Sequence, residues 1–365
     1  MLTLLKNLEC YAPEHIGKND ILICAGKIYK IAPRMDNAGC GLIESADDCD
    51  GLLAFPGLID QHVHIAGGGG EQGFSSRTSE MDATDILAAG VTTVVGLLGA
   101  DGTTRSLESL YAKAKALEEQ GLTTYIYTGS YSTPPVTLTG DIVRDLVLID
   151  KVIGVGEIAL SDHRGSHPDG PTLLKIASDA HLGGLLGKKA GVLHLHFGDG
   201  ERGLAPLASL IADSDLPPGM FVPTHQNRSL QLLEQAVAHC TAGGRVDLTA
   251  GETAGVPVPD AVQTLMWGGA DPSLVTVSSD AGGSGAGGGA GSIQPLFDDI
   301  VCCIRDKGLS PELAFSLVTQ NPARLLCLYP RKGVLRQGSD ADILITDADY
   351  AVKRVYCAGR LMLEK

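Results

Sequence analysis

The feature that most limits what this 365-residue chain can become is a series of eight strand-like segments, rich in Val, Ile and Leu and almost without polar alternation. They are Ala54–His64, Val91–Leu98, Thr123–Ser130, Val152–Ala159, Val192–Phe197, Phe221–His225, Arg245–Leu248 and Leu274–Ser278. Helical stretches such as Leu107–Gln120, Leu230–His239 and Pro259–Trp267 separate them. Strands without alternation are buried on both faces, as in a parallel sheet covered by helices. Eight such units predict an α/β chain: a (β/α)8 TIM-like barrel over residues 52–330, with a doubly wound sheet as the competing arrangement.

The two ends read differently. Residues 1–51 carry short β-like runs, Asp20–Cys24 and Lys27–Ile31, broken by Gly and Asn turns; residues 331–365 carry Asp342–Thr346 and Val352–Cys357. They predict a small β-sandwich module formed from both termini. Composition narrows the function classes. An apolar share of 44% supports a large core, and a net charge of −15 opposes a nucleic-acid partner, which needs a basic face. The nine cysteines form no Cys-x-x-Cys and sit in apolar segments, as small hydrophobes in a reducing compartment do. No apolar run approaches about 18 residues, so no membrane span is expected. The opening MLTLLKNLECYAPEH turns polar too early for a signal peptide, which predicts a cytoplasmic protein.

Five of the ten histidines fall at the predicted strand ends. His62 and His64 close the first strand at positions i and i+2, so both imidazoles project from one face. His194 and His196 close the fifth strand, His225 the sixth, and Asp280 follows the eighth. Active sites of (β/α)8 barrels gather at these carboxyl ends, and imidazole with carboxylate is the donor set of a catalytic zinc or similar divalent ion. His196, nearer the strand end, is favoured as a ligand over His194, which is either a neighbour of the site or packed core. Glu157 lies inside the apolar fourth strand, where a carboxylate is costly to bury unless paired or metal-bound. It is a candidate bridge between two cations.

These residues resemble the amidohydrolase superfamily: Pro56-Gly57-Leu58-Ile59-Asp60-Gln61-His62-Val63-His64, histidines after strands five and six, and aspartate after strand eight. The return through Gly333-Val334-Leu335-Arg336-Gln337-Gly338-Ser339-Asp340-Ala341-Asp342 fits the same pattern. Within it, the chain is similar to the isoaspartyl (β-aspartyl) dipeptidases in Gly67–Glu71, Val94–Gly99, Pro134–Gly140, Ser161–Arg164, Pro223–Arg228 and Ser278–Asp280. The resemblance implies a homo-oligomer that uses two divalent ions, Zn2+ by preference, to hydrolyse a small dipeptide linked through the aspartyl side chain. It assigns the metals to His62, His64, Glu157, His196, His225 and Asp280. Asp280 becomes the proton carrier, and Tyr131 the oxyanion donor. Glu71 takes the substrate ammonium, and Arg164 and Arg228, with Ser284, its carboxylates; Asp162, His163 and Asn227 lie beside these as possible orienting groups.

Two departures stand out. Familiar members bridge their metals with a carboxylated lysine on the fourth strand, yet no lysine lies between Val152 and Arg164, so Glu157 takes that place. Ala100 stands where a hydroxyl residue is expected. The glycine-dense segment Ala281–Ser292 matches a dinucleotide fingerprint only through its glycine content and reads either as a mobile cover over the site or as a surface loop without a role. Competing functions are another amidohydrolase acting on cyclic amides or N-acyl groups, and a barrel that kept its fold but lost its chemistry.

Overall fold

A computed structural model of the chain describes residues 2–35, 43–284 and 289–365. Six parallel strands, Leu58–Val63, Val91–Gly96, Thr123–Thr128, Val152–Leu160, Val192–Phe197 and Phe221–Thr224, form one curled sheet in sequence order. Two more, Val246–Thr249 and Val275–Ser278, form a parallel pair. All residues of the six-stranded sheet except the first and third of Thr123–Thr128 are buried, which is why the sequence shows no alternation. Backbone bonds tie the pair to the sheet. The Gln226 amide donates to Asp247 O at 3.2 Å, the Asp280 amide to His62 O at 3.1 Å, and the His64 amide to Ala281 O at 2.8 Å.

Helices cover the outside of the sheet, and their starts are written into the sequence. Ser106, Asp141, Asp169 and Ser229 each accept from a backbone amide three residues on, at 3.2, 2.8, 2.9 and 3.2 Å. Each cap contributes roughly 1 kcal/mol. Leu110, Ala114 and Leu117 of helix Leu107–Glu119 show the burial pattern that follows, with apolar residues three or four apart against the strands.

Both ends of the chain join one eight-stranded sheet. Its order runs Arg360–Glu364, Val352–Cys357, Ile343–Thr346, Leu53–Pro56, Leu2–Tyr11, His15–Cys24, Lys27–Ala32, with Ile43–Asp48 also paired to Leu2–Tyr11. Leu5, Leu8, Ile21, Ile28, Ile343 and Ile345 fill its core. Buried Lys332 donates to Asp342 and lies 3.1 Å from Asp340, fixing the chain where it re-enters this sheet.

The expected single strand Ala54–His64 is two. Leu53–Pro56 pairs with Leu2–Tyr11 and Ile343–Thr346, whereas Leu58–Val63 starts the curled sheet. Gly57 is the pivot: a Cβ there would lie 2.4 Å from the Thr92 side chain, so only glycine permits the change of sheet. The glycine-dense segment Ala281–Ser292 falls partly on residues 285–288, outside the described residues.

Candidate active site

Six side chains, five at or just beyond strand ends and Glu157 from within Val152–Leu160, meet at one rim of the curled sheet. His62, His64, Glu157, His196 and His225 are buried, while the Asp280 side chain keeps 24% of its surface open. Asp280 Oδ1 lies 3.2 Å from His62 Nε2 and 3.0 Å from His64 Nε2. Glu157 faces two ways. Its Oε1 is 3.5 Å from His64 Nε2, and its Oε2 is 3.5 Å from His62 Nε2, 3.2 Å from His196 Nδ1 and 3.8 Å from His225 Nε2. Asp280 and His225 both hold left-handed backbone, φ 54° and 62°, a conformation that non-glycine residues adopt mainly where the surroundings impose it.

The donor set suits divalent cations. His62 Nε2, His225 Nε2 and Glu157 Oε1 are buried without a hydrogen-bond partner, although they point into the same cluster. A tetrahedral ion with bonds of about 2.0–2.1 Å separates neighbouring ligand atoms by roughly 3.3 Å, close to the spacings found here. Two overlapping triads bring their donor atoms within 4.8 Å of one another, near enough to share a cation: His62, His64 and Asp280, and His62, Glu157 and His225. Charge points the same way. Burial alone would strip the proton from His62, but Glu157 and Asp280 outweigh it and push its pKa well up. Burial likewise works to raise both carboxyls, and the facing imidazoles, His62 foremost, hold them well below the usual range. Two sequestered carboxylates therefore require positive charge among them.

A second layer fixes these groups. His62 Nδ1 lies 2.8 Å from Nε2 of His194, whose own pKa is held well down by burial and then by the His62 charge. A neutral His194 accepts from His62 Nδ1–H through Nε2, which leaves His62 Nε2 directed at the cluster, where a bound cation would take the place of its proton. His194 stacks on Tyr127, with ring centroids 5.2 Å apart. His194 thus adjoins His62, and with His62 and Asp247 it forms a third, fully buried grouping of potential ligand atoms. Thr249 Oγ1, 2.7 Å from His225 Nδ1, orients that ring, and Asn227 in turn holds the Thr249 backbone at 2.8 and 2.9 Å.

His196 is shared. Its Nδ1 is 2.8 Å from the Tyr131 hydroxyl, and its Nε2 is 2.9 Å from Asp162 Oδ2. Asp162 also accepts from Arg164 through both oxygens, at 3.0 and 2.7 Å, a bidentate pairing that fixes the guanidinium plane. Although burial would raise it, the Asp162 carboxyl is pulled far below the ordinary range by His196 and Arg164. Tyr131 keeps its phenolic proton: burial first, and the Glu157 charge second, push its pKa well up. His163 is exposed, 3.6 Å from Asp162.

Above the cluster opens a cavity of about 430 Å³ lined by His64, Tyr131 and Asp280 and by all four residues expected to bind substrate. Ser284 donates to Glu71 at 2.8 Å, Arg164 Nη1 lies 3.5 Å from Glu71, and Arg228 donates to Phe197 O at 3.1 Å. Ala100 forms part of the wall.

Sequence reasoning passed over Asp60 and Asp247. Asp60 accepts from the amides of His62 and Ser279 at 3.2 Å each, and burial raises its carboxyl to about 6. Asp247 accepts from Gln61 at 2.6 Å, Thr276 at 2.7 Å, Thr224 at 2.8 Å and Ser278 at 2.6 Å, which locks four strands beneath the ligands. The signal was present, because each is a carboxylate inside an apolar run, as Glu157 is.

Comparison with known proteins gives four results that agree on an amidohydrolase fold. The amidohydrolase family model matches residues 262–362. The crystal structure of a beta-aspartyl dipeptidase from Fervidobacterium islandicum AW-1 superposes with a TM-score of 0.94 at 42% identity, covering 100% of this chain and 97% of that one. The same enzyme in complex with a beta-Asp-Leu dipeptide gives 0.93 at 42% identity, with 100% and 96% coverage. An L-hydantoinase from Paenarthrobacter aurescens is 23% identical over 96% of this chain and 86% of its own length.

Proposed function

The chain belongs to the beta-aspartyl dipeptidases of the amidohydrolase superfamily, metal-dependent hydrolases, and we propose that it cleaves the isopeptide bond of β-aspartyl dipeptides with two divalent cations. The observation that carries this reading is the double-faced Glu157 set beneath a cavity whose walls bear Glu71, Arg164, Arg228 and Ser284. His62, His64 and Asp280 would hold one cation, His196 and His225 the other, with Glu157 between them. Imidazole and carboxylate donors favour Zn2+. Bound there, the cations would polarise the scissile carbonyl and lower the pKa of the attacking water.

The remaining steps fall to the protein. Asp280, the one partly open carboxylate of the cluster, accepts the proton of the attacking water as the C–O bond forms and returns it to nitrogen as the C–N bond breaks. Tyr131, kept as a neutral phenol, donates to the developing oxyanion. Glu71 receives the substrate ammonium. Arg164, already planar against Asp162, and Arg228 receive the two carboxylates, assisted by Ser284. These arginines supply positive charge that a chain of net charge −15 otherwise lacks.

We read the eight parallel strands as one closed (β/α)8 barrel within residues 52–330, beginning at Leu58–Val63, a reading supported by the bonds from Asp280 and His64 that join the eighth strand's end to the first. Residues 1–51 and 331–365 supply the β module, whose strands lie in one eight-stranded sheet that also takes in Leu53–Pro56. The cysteines among the described residues are unpaired, and no helix among them is long and apolar enough to cross a membrane, which supports a cytoplasmic setting. Exposed Leu148, Leu182, Leu185 and Leu186 offer an apolar face that supports homo-oligomer assembly.

The test is hydrolysis of β-Asp-Leu by protein reconstituted with zinc, followed by amino-acid release. Turnover with about two metal equivalents is expected. Metal-loaded protein that ignores β-aspartyl dipeptides but opens hydantoins or deacetylates amino sugars would overturn the assignment.

A further inference from the structure

A second cavity of about 820 Å³ adjoins the catalytic one and shares Arg228, Asp280 and Ser284 with it. Its wall is polar. Thr249, Thr253, Ser279 and Ser292 contribute hydroxyls, Glu252 contributes a carboxylate, and among the described residues no lining side chain is aliphatic or aromatic and larger than proline. Glu252 is half-buried and oriented, since its Oε1 accepts the amides of Ala254 at 2.8 Å and Gly255 at 3.0 Å. Among the described residues no lysine, arginine or histidine forms an ion pair with it. A fixed, unpaired carboxylate in a polar chamber calls for a cation.

The proposed function, on which this inference rests, gives the chamber a direction. Glu71 borders the catalytic cavity and a different neighbouring hollow of about 580 Å³, but not the larger chamber. Asp280 borders the catalytic cavity and the larger chamber, but not the other hollow. The substrate ammonium therefore lies at the Glu71 end. The amine that takes its proton from Asp280 belongs to the departing amino acid, which lies at the other end. With the departing residue's α-carboxylate against Arg228, its side chain has the larger chamber ahead of it.

We propose that this chamber is the subsite for the side chain of the released amino acid, and that Glu252 makes it select a basic one, lysine or arginine. The strongly negative overall charge favours the same class, because a basic dipeptide is net neutral and escapes the repulsion met by one with an uncharged side chain. A single ion pair in a half-solvated cavity is worth a factor of about five in kcat/KM.

The experiment compares β-Asp-Lys with β-Asp-norleucine, which has the same chain length and no charge, in the parent and in Glu252→Gln. Glutamine keeps an oxygen for the two loop amides. The parent should prefer β-Asp-Lys by about fivefold in kcat/KM, and the variant should bring that ratio close to one, mainly through KM. A parent ratio at or below one, or an unchanged ratio in the variant, overturns the subsite. Should Glu252→Gln lose its fold by thermal melting, the parent decides alone: its lysine preference must shrink as NaCl rises from about 20 to 500 mM, and a salt-independent preference refutes the proposal. Turnover of β-Asp-norleucine without lysine preference removes this inference only, whereas turnover of neither peptide by metal-loaded parent removes the dipeptidase reading itself.

Discussion

Glu157→Gln is the sharpest test of the metal cluster, because it removes one charge and changes almost no volume. In the parent, Glu157 is fully buried and its two oxygens face His62, His64, His196 and His225 at 3.2–3.8 Å. An amide keeps one oxygen but cannot serve both sides, so affinity for at least one cation should fall by about a hundredfold or more, the upper end of what disturbing even supporting groups produces. That loss can be read as stability. At a metal concentration of about 1,000 Kd, binding stabilises the parent by about 4 kcal/mol, and a hundredfold weaker site retains about 1.4 kcal/mol. For 365 residues, with an unfolding entropy of about 2.1 cal/mol/K per residue, these correspond to rises in Tm of about 5 °C and about 2 °C. Calorimetry of apo and zinc-loaded protein, alongside metal analysis, measures both. A variant that keeps two metal equivalents and the full shift would show that Glu157 does not bridge, and the reasoning from its two-sided contacts would fail.

Five further outcomes follow from the structure. His194→Phe keeps a ring against Tyr127 but removes the acceptor for His62 Nδ1, so chelator competition should reveal metal affinity about 10- to 100-fold weaker; unchanged affinity would make His194 mere packing. Asp162→Asn frees the Arg164 fork and should raise KM for β-Asp-Leu about tenfold with metal content retained, whereas an unaltered KM would detach Arg164 from substrate. Lys332→Met leaves buried Asp342 without its cation and should cost about 3 kcal/mol in chemical denaturation. In the parent, burial lowers the Lys332 pKa but Asp342 and Asp340 outweigh it and raise it above 10.5; the pair's contribution is therefore complete below that pH and declines as pH climbs past it, and a denaturation midpoint flat from pH 9 to 12 would refute this. Leu185→Glu with Leu186→Glu should lower the sedimenting mass if the exposed leucines join copies of the chain, and an unchanged mass would place the interface elsewhere.

Much of this was legible because burial on both faces leaves a mark in sequence. The strands leading to His62, His196, His225 and Asp280 read as largely apolar runs, and a polar group closing such a run has few roles besides function. Periodicity could not separate His194 from His196, since both face inward. Their difference is depth: His194 reaches the far nitrogen of His62, while His196 reaches Glu157, Tyr131 and Asp162. Nor could it break Ala54–His64 in two. A continuous apolar run looks the same in one sheet or two, and only the contact of Gly57 with Thr92 reveals the turn. Asp60 and Asp247 were overlooked for want of applying to them the argument made for Glu157.

The change of sheets at Gly57 ties the tail of the protein to its chemistry. Leu53–Pro56 lies against Ile343–Thr346 in register, Pro56 opposite Ile343, and the same backbone runs on directly to His62 and His64. Strands some sixty residues beyond Asp280 thus clamp the near end of the segment that delivers two metal donors. A shortened carboxyl terminus would loosen the hold on His62 and His64 while every proposed catalytic side chain was still present.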